Sequence, residues 1–507
     1  IKSYIKVLAQ TGTEGANATD ITDSVNIEIN DSLEQDVKAT VNGVENVVVG
    51  KQYELTITGF EQNVNQIKIE IAEDTILDKS GNGNETTQLI VYNVLRLTNT
   101  ETVESSMFIG SSGIERQNVE KVIFVDSLAD AIEGKIPKIW DSTEKTWTYK
   151  SGIQKVWDVS AAQDDSILAW TSQTQAPYTV YIGSNFEMFA NQDSSYLFAY
   201  IGYNSAKCTA TETILYLDLL NTNSVINMSA MFSNTGYASM EKLNLGTLFN
   251  TTNVTKMNNM FENCGYTKMT NLYFGDENGE TGEITFADSF DTSKVEDMSG
   301  MFKGFGYTKM QKLDLGNSFD TSNVKNMNNM FANCGYTLMT NLDLGNNFDT
   351  SNVEYMNNMF ANCGHISMTT LDLSSGTGET NTTQFNTIKV KEMSGMFNST
   401  GYELMTSLNL GNNFDTRNVI KMVSMFEKCG YTEMQSLDLG NKFYTTKVDD
   451  MSNMFNSCGA GKMEILDLGP LFTRIAETYE NMFKDCGTTE LKIYAPESIY
   501  SNRTTFK

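Results

Sequence analysis

Apolar side chains recur in one arrangement along the second half of the chain. Val324, Met327, Met330 and Phe331 are spaced three, three and one, with Asn and Lys between them. That spacing predicts one face of a short helix. The closing Met-Phe pair returns at Met231, Met260, Met301, Met330, Met359, Met396, Met425, Met454 and Met482, in steps of 29, 41, 29, 29, 37, 29, 29 and 28 residues. A fixed period of this size predicts stacked coils, each unable to bury its apolar face alone. Thr321 or the Ser and Asp beside it is expected to cap the helix start. Gly335, with Gly at the same place in all nine coils, is expected to end the helix at φ > 0.

After the glycine the pattern changes to Met339-x-x-Leu342-x-Leu344. Alternation over so few residues predicts a short strand with Leu342 and Leu344 on one side and Asp343 on the other. Neighbouring coils then pair as a parallel sheet, with strands ~4.8 Å apart. Phe249, Phe290, Phe319, Phe348, Phe385, Phe414, Phe443 and Phe472 are expected to close the core on the return side.

The string F-D-T-S-N-V-x-x-M-x-x-M-F followed by L-D-L-G is carried by Phe319 to Phe331, Phe348 to Phe360 and Phe414 to Phe426. It resembles the BspA-like leucine-rich repeats of bacterial surface proteins, also called mycoplasma-type lipoprotein repeats, over about residues 214 to 494. The resemblance implies a secreted or surface-anchored protein, often an adhesin, that is not an enzyme.

Residues 1–95 alternate differently. Val25–Ile29, Tyr53–Thr58, Ile67–Ile71 and Leu89–Tyr92 alternate apolar and polar positions, and turn residues such as Asn42-Gly43 separate them. About seven strands in this space predict a β-sandwich. Ile71 to Glu85 resembles the last hairpin of a bacterial immunoglobulin-like domain. Within it, Asp78, Ser80 and Asn82 fit the first half of a calcium loop, but Leu89 stands where the closing acid belongs, which favours a glycine-rich turn.

Residues 96–213 are mixed. Val119 to Ile132 reads as a strand entering a short helix. Trp140, Trp147, Trp157 and Trp170 form either an aromatic core or a carbohydrate-stacking platform. Val156–Ser160, Tyr178–Gly183 and Ser194–Phe198 resemble the segment preceding the repeats in BspA-like proteins, and Tyr196-Leu197-Phe198 reads as a degenerate Met-Phe coil. The segment is expected to shield the first open coil. The fold class is therefore mostly β with short helices: an immunoglobulin-like β-sandwich (1–95), a β-rich linker and N-terminal cap (96–213), and a leucine-rich-repeat solenoid ending in a C-terminal cap (214–507). Ala476, Tyr479 and Pro496 mark the decay expected of that last cap. Two insertions, near Asp276 to Ala287 and Ser374 to Asn381, follow the strand and are expected to project from one edge as loops or a binding face.

Composition narrows the chemistry. A formal net charge of −27 disfavours nucleic acid and anionic membrane surfaces as partners. No stretch approaches the ~18 apolar residues of a membrane span. Ile1 opens without a signal peptide and no C-terminal anchor motif is visible, which reads as a mature or trimmed chain. Six of the seven cysteines, Cys264, Cys334, Cys363, Cys429, Cys458 and Cys486, share one repeat position with Thr235, Phe305 and Thr400. That tolerance reads as buried packing, with inter-coil disulfides as the alternative. The one histidine, His365, replaces a repeat tyrosine, and no nucleophile, Walker or dinucleotide motif accompanies it. No cofactor is called for, calcium being the weak exception.

The one feature above background is a column of acids. Asp314, Asp343, Asp372, Asp438 and Asp467 hold the outward position between strand leucines. Stacked carboxylates repel one another, so either solvent screens them or they hold a cation or basic ligand. The function expected is attachment at the bacterial cell surface to an extracellular protein or glycan ligand. The alternative is a filament or appendage subunit that self-assembles.

Overall fold

The computed structural model describes residues 5–10, 19–20, 26–41, 44–58, 66–71, 87–91, 95–97, 108–110, 112–126, 138–141, 146–149, 152–161, 167–184, 187–274, 281–287, 290–316, 318–374 and 385–500. The chain divides into two compact units, Ile1–Leu95 and Arg96–Lys507. In the first, Thr19–Asp20, Ile5–Gln10, Gln66–Ile71 and Thr87–Val91 form a four-stranded sheet in that order. All its pairings are antiparallel. Asn26–Val41 and Val44–Thr58 form a separate long hairpin, with Val41 opposite Val44. Of the alternating runs, residues 26–29, 53–58, 67–71 and 89–91 fall in these strands, and Val25 and Tyr92 lie outside the described residues. The calcium-loop residues Asp78, Ser80 and Asn82 lie outside the described residues.

The second unit opens with a five-stranded sheet: Lys155–Asp158, Leu168–Thr171, Tyr178–Gly183, Val119–Val125 and Ile214–Leu215. Its first two pairings are antiparallel and its last two parallel. The helix expected to follow Val119–Val125 falls outside the described residues. Trp157 is 8% exposed and Trp170 2%, so neither offers a face to a sugar. Trp157 Nε1 donates to the Ile109 carbonyl at 2.8 Å, and Trp170 stacks on Tyr181. Trp140 and Trp147 are paired across a hairpin of Lys138–Asp141 and Thr146–Tyr149.

From residue 188 onward the chain repeats. Each coil carries a three-residue strand, and these pair in parallel register: Leu243 with Leu272, Leu313 with Leu342, Leu371 with Leu408, Leu437 with Leu466. A second parallel ladder of single bridges runs Asp193, Asn227, Lys256, Asp297, Asn326, Tyr355, Glu392, Lys421, Asp450, Thr478. Between the ladders lie the methionines and two phenylalanine stacks. One stack runs unbroken from Phe198 through Phe232, Phe261, Phe302, Phe331, Phe360, Phe397, Phe426 and Phe455 to Phe483, with centroids 5.3–5.9 Å apart. Phe198 thus begins the array one coil before Phe232, where the degenerate Met-Phe motif was read. The described α-helix is Glu497–Tyr500 alone.

The short helix expected at Val324–Phe331 is not there. The segment is a run of tight turns. Met330, Ala332 and Cys334 donate their N–H groups to the carbonyls three residues back, Met327, Asn329 and Phe331. The alternate N–H groups, of Met327, Asn329, Phe331 and Asn333, donate instead to Tyr355, Asn357, Met359 and Ala361 in the next coil, at 2.8–2.9 Å. An α-helix would consume those donors internally. The turns need positive φ at two places four residues apart, and Asn329 and Asn333 both sit at +58°. Asn, Gly and Ser supply most of these places in the other coils, because they tolerate the left-handed region best. Gly335 has the positive φ foreseen (+51°), but for the turn run: an added Cβ would lie 2.4 Å from that of Met339.

Two further expectations change with the helix. Thr321 caps nothing; its Oγ1 donates to the Asp349 carbonyl of the next coil at 2.8 Å, and Thr292, Thr350, Thr387 and Thr416 do likewise. The first insertion is not merely a projecting loop. Its residues Glu283–Thr285 form a strand paired with Lys312–Asp314, and Phe286, 2% exposed, enters the core against Phe261, Phe290, Phe302 and Phe319. Of the second insertion only Ser374 is described.

Because the Met-Phe run of each coil donates forward, the run of the first coil is left with carbonyls to which no earlier run donates. Arg116, 1% exposed, fills that place. Its Nη1 donates to the carbonyls of Tyr196, Leu197 (3.2 Å) and Ala199 (3.3 Å). Burial lowers its pKa to about 10, so it stays charged at neutral pH. Each buried carbonyl stripped of its donor costs about 1–3 kcal/mol. Arg116→Met is therefore expected to lower unfolding stability by about 2–4 kcal/mol, measured by chemical denaturation; a change under about 0.5 kcal/mol would show that the contact is dispensable.

Candidate functional site

The acidic column is built by the strand register. Asp314 stands opposite Asp343, Asp438 opposite Asp467, and Asp372 opposite Asn409. All five aspartates are half-buried or exposed, on the solvent side of strands whose central leucines face the core. Each also closes the turn that ends its strand. Asp314, Asp343, Asp438 and Asp467 accept through Oδ1 from the N–H of Gly316, Gly345, Gly440 and Gly469, at 2.8–3.0 Å. Asp372 accepts from Ser374 N–H at 2.8 Å. Asn244 and Asn409 do the same for Gly246 and Gly411. An amide oxygen serves the turn as well as a carboxylate, since only an acceptor is required. Lys312 Nζ lies 3.6 Å from Asp314. Among the described residues no group of three or more His, Cys, Asp or Glu is arranged to hold a metal ion.

A second column was not anticipated. Tyr237, Tyr266, Tyr307, Tyr336, His365, Tyr402 and Tyr431 stack ring on ring, with centroids 4.3–4.8 Å apart and planes within 14°. Partial burial and neighbouring phenols push the Tyr237, Tyr266, Tyr336 and Tyr402 phenols above their usual range. His365 is a rung of this stack. Its Nδ1 donates to the Ser399 carbonyl at 3.0 Å, and burial pulls its pKa below the usual imidazole value. Tyrosine six residues after the methionine in six of the nine Met-Phe pairs was the available signal.

The seven cysteines are buried and free. Burial pushes the Cys334, Cys363, Cys429 and Cys458 thiols far up, and Cys208 to about 11, so the reactive thiolate is suppressed. Among the described residues no helix is long and apolar enough to cross a membrane.

The geometry defines a class: a repeat protein of parallel, register-locked coils. The family described as "Mycoplasma protein of unknown function, DUF285" matches residues 211–271, 267–377 and 367–495. Those segments span more than half of the chain, and the chain belongs to this family. No curated protein matches it. No solved structure matches it either.

The two roles of the column are separable by mutation. Asp343→Asn keeps the acceptor for Gly345 and is expected to leave the melting temperature unchanged or slightly raised. Asp343→Ala removes it and is expected to cost about 1 kcal/mol. Equal losses in both variants, by calorimetry, would mean that the negative charge itself holds the coil.

Proposed function

We propose that this chain is a bacterial cell-surface protein of the BspA-like leucine-rich-repeat kind, whose strand face binds an extracellular protein or glycan. On this reading residues 1–95 are an immunoglobulin-like spacer, 96–213 the N-terminal cap of the solenoid, and the acidic column part of the ligand surface. The supporting observation is the exposed–buried–exposed pattern of Thr370–Asp372, Ser407–Asn409 and Ser436–Asp438. The central leucines serve the core, and the outer residues form a ruled polar face that the core does not need. Regular solenoid surfaces of this sort suit extended ligands. The formal charge of −27 directs the choice of partner away from nucleic acid.

The test is to present the whole chain to glycan and matrix-protein arrays. Binding is expected, with loss of about tenfold or more in affinity when Thr370, Ser407 and Ser436 are together replaced by arginine, at unchanged melting temperature. Glycan turnover, filaments in electron micrographs of the purified chain, or absence of any binding would overturn the adhesive reading.

A further inference from the structure

Where the five-stranded sheet meets the first full coil, the strand ladder is broken. Ile214–Leu215 pairs with Val122–Ile123, and then the chain leaves the sheet at Tyr216. Tyr216 has φ 58° and ψ 40°, and Leu217–Leu219 continues as a 3-10 turn. Asp218 lies within that turn rather than in a strand. Strand Lys242–Asn244 keeps Asn271–Tyr273 on one side, but toward this junction only Lys242 is bridged, to Glu212. The gap is a cleft of about 280 Å³, walled by Glu212, Tyr216, Asp218, Lys242 and Asn244. Gly246 packs beneath it so closely that an added Cβ would lie 2.6 Å from Asp218 N.

Tyr216 is unusual twice over. Among the described residues, every other non-glycine with positive φ belongs to the repeated turn run, where the inter-coil ladder explains it. Tyr216 belongs to no such run. A bulky residue held in the left-handed region is strained and persists only where its surroundings impose it, most often at a binding site. Tyr216 is also 51% exposed, level with Tyr494 as the most exposed large hydrophobic among the described residues. The strain therefore does not serve burial; it turns a ring out beside a concavity.

We infer that this cleft binds a neutral pyranose, whose C–H face stacks on the Tyr216 ring while its hydroxyls donate to the Glu212 and Asp218 carboxylates. The volume lies just below the ~300–1,000 Å³ usual for ligand pockets and suits one sugar ring. Two carboxylates oppose a phosphate or a uronic acid, and the Lys242 ammonium in the same wall opposes a metal ion. An exposed aromatic with a few converging polar groups is the composition such a ligand needs. The inference rests on the surface-binding reading above and gives it a ligand class and a place.

The experiment titrates the whole chain with methyl glycosides of glucose, galactose, mannose and N-acetylglucosamine, read by ligand-observed nuclear magnetic resonance. At least one is expected to bind, Tyr216→Phe to retain it, and Tyr216→Gly to weaken it about tenfold. Glycine accepts φ 58° without strain, so that variant is also expected to melt no lower than the parent, which separates lost stacking from lost folding. If no glycoside binds, or if binding is indifferent to Tyr216→Gly, the cleft assignment is overturned. Array binding that disappears with the Thr370, Ser407 and Ser436 replacements would still leave the surface reading standing.

Discussion

Everything in the repeat unit follows from one constraint: every second N–H of the Met-Phe segment must find a carbonyl in the next coil. Met327, Asn329, Phe331 and Asn333 meet it through Tyr355, Asn357, Met359 and Ala361. A buried N–H without an acceptor costs about 1–3 kcal/mol, so four per coil leave no freedom in register. The intervening N–H groups then have only the local chain to bond, which folds the segment into consecutive turns. Positive φ follows at two places per coil, and Asn or Gly follows from that. The stacked phenylalanines, the threonine hydroxyls reaching one coil ahead and the tyrosine ladder are consequences of the same register rather than separate designs.

A ladder with a direction has unlike ends. In the Met-Phe run the forward end carries donors and the rear end acceptors, whereas Lys325, Gly335 and Thr337 donate backward to Glu296, Phe305 and Tyr307. Arg116 is suited to the rear because a guanidinium offers several donors and no acceptor. Its burial is offset by the three carbonyls that accept from it. Near the same junction the strand ladder fails to continue past Leu215, and the cleft beside Tyr216 is the geometric residue of that failure. Regularity makes the faces of the coils; the departure from regularity makes the concavity.

Much of this was legible in the residues. The 29-residue step, the Leu-x-Leu strands, the buried phenylalanines and the glycine at positive φ all emerged from spacing. The turn run was misread because three-three-one spacing is shared by a helix and by turns that bury the same side chains. Asn329 and Asn333, four apart and poor helix formers, carried the correction. The acidic column read as either a solvent-screened face or a ligand feature; its role as turn acceptor was legible only in Asn244 and Asn409 at the same place. The core role of Phe286 was hidden because an insertion has no repeat to be compared with. Arg116 was invisible for another reason: it is a single basic residue 80 positions from the carbonyl of Tyr196 that it meets, and only the fold brings the two together.

The register claim is tested most directly by distances along one exposed column. Glu296, Lys325, Glu354, Lys391, Ile420 and Asp449 follow one another coil by coil through N–H to carbonyl bonds. Spin labels at Glu296 paired in turn with Lys391, Ile420 and Asp449 should give distances rising in equal steps of ~4.8 Å per coil by pulsed electron paramagnetic resonance. Distances that stay level, or rise unevenly between these pairs, would contradict a stack in which each coil is bonded in register to the next.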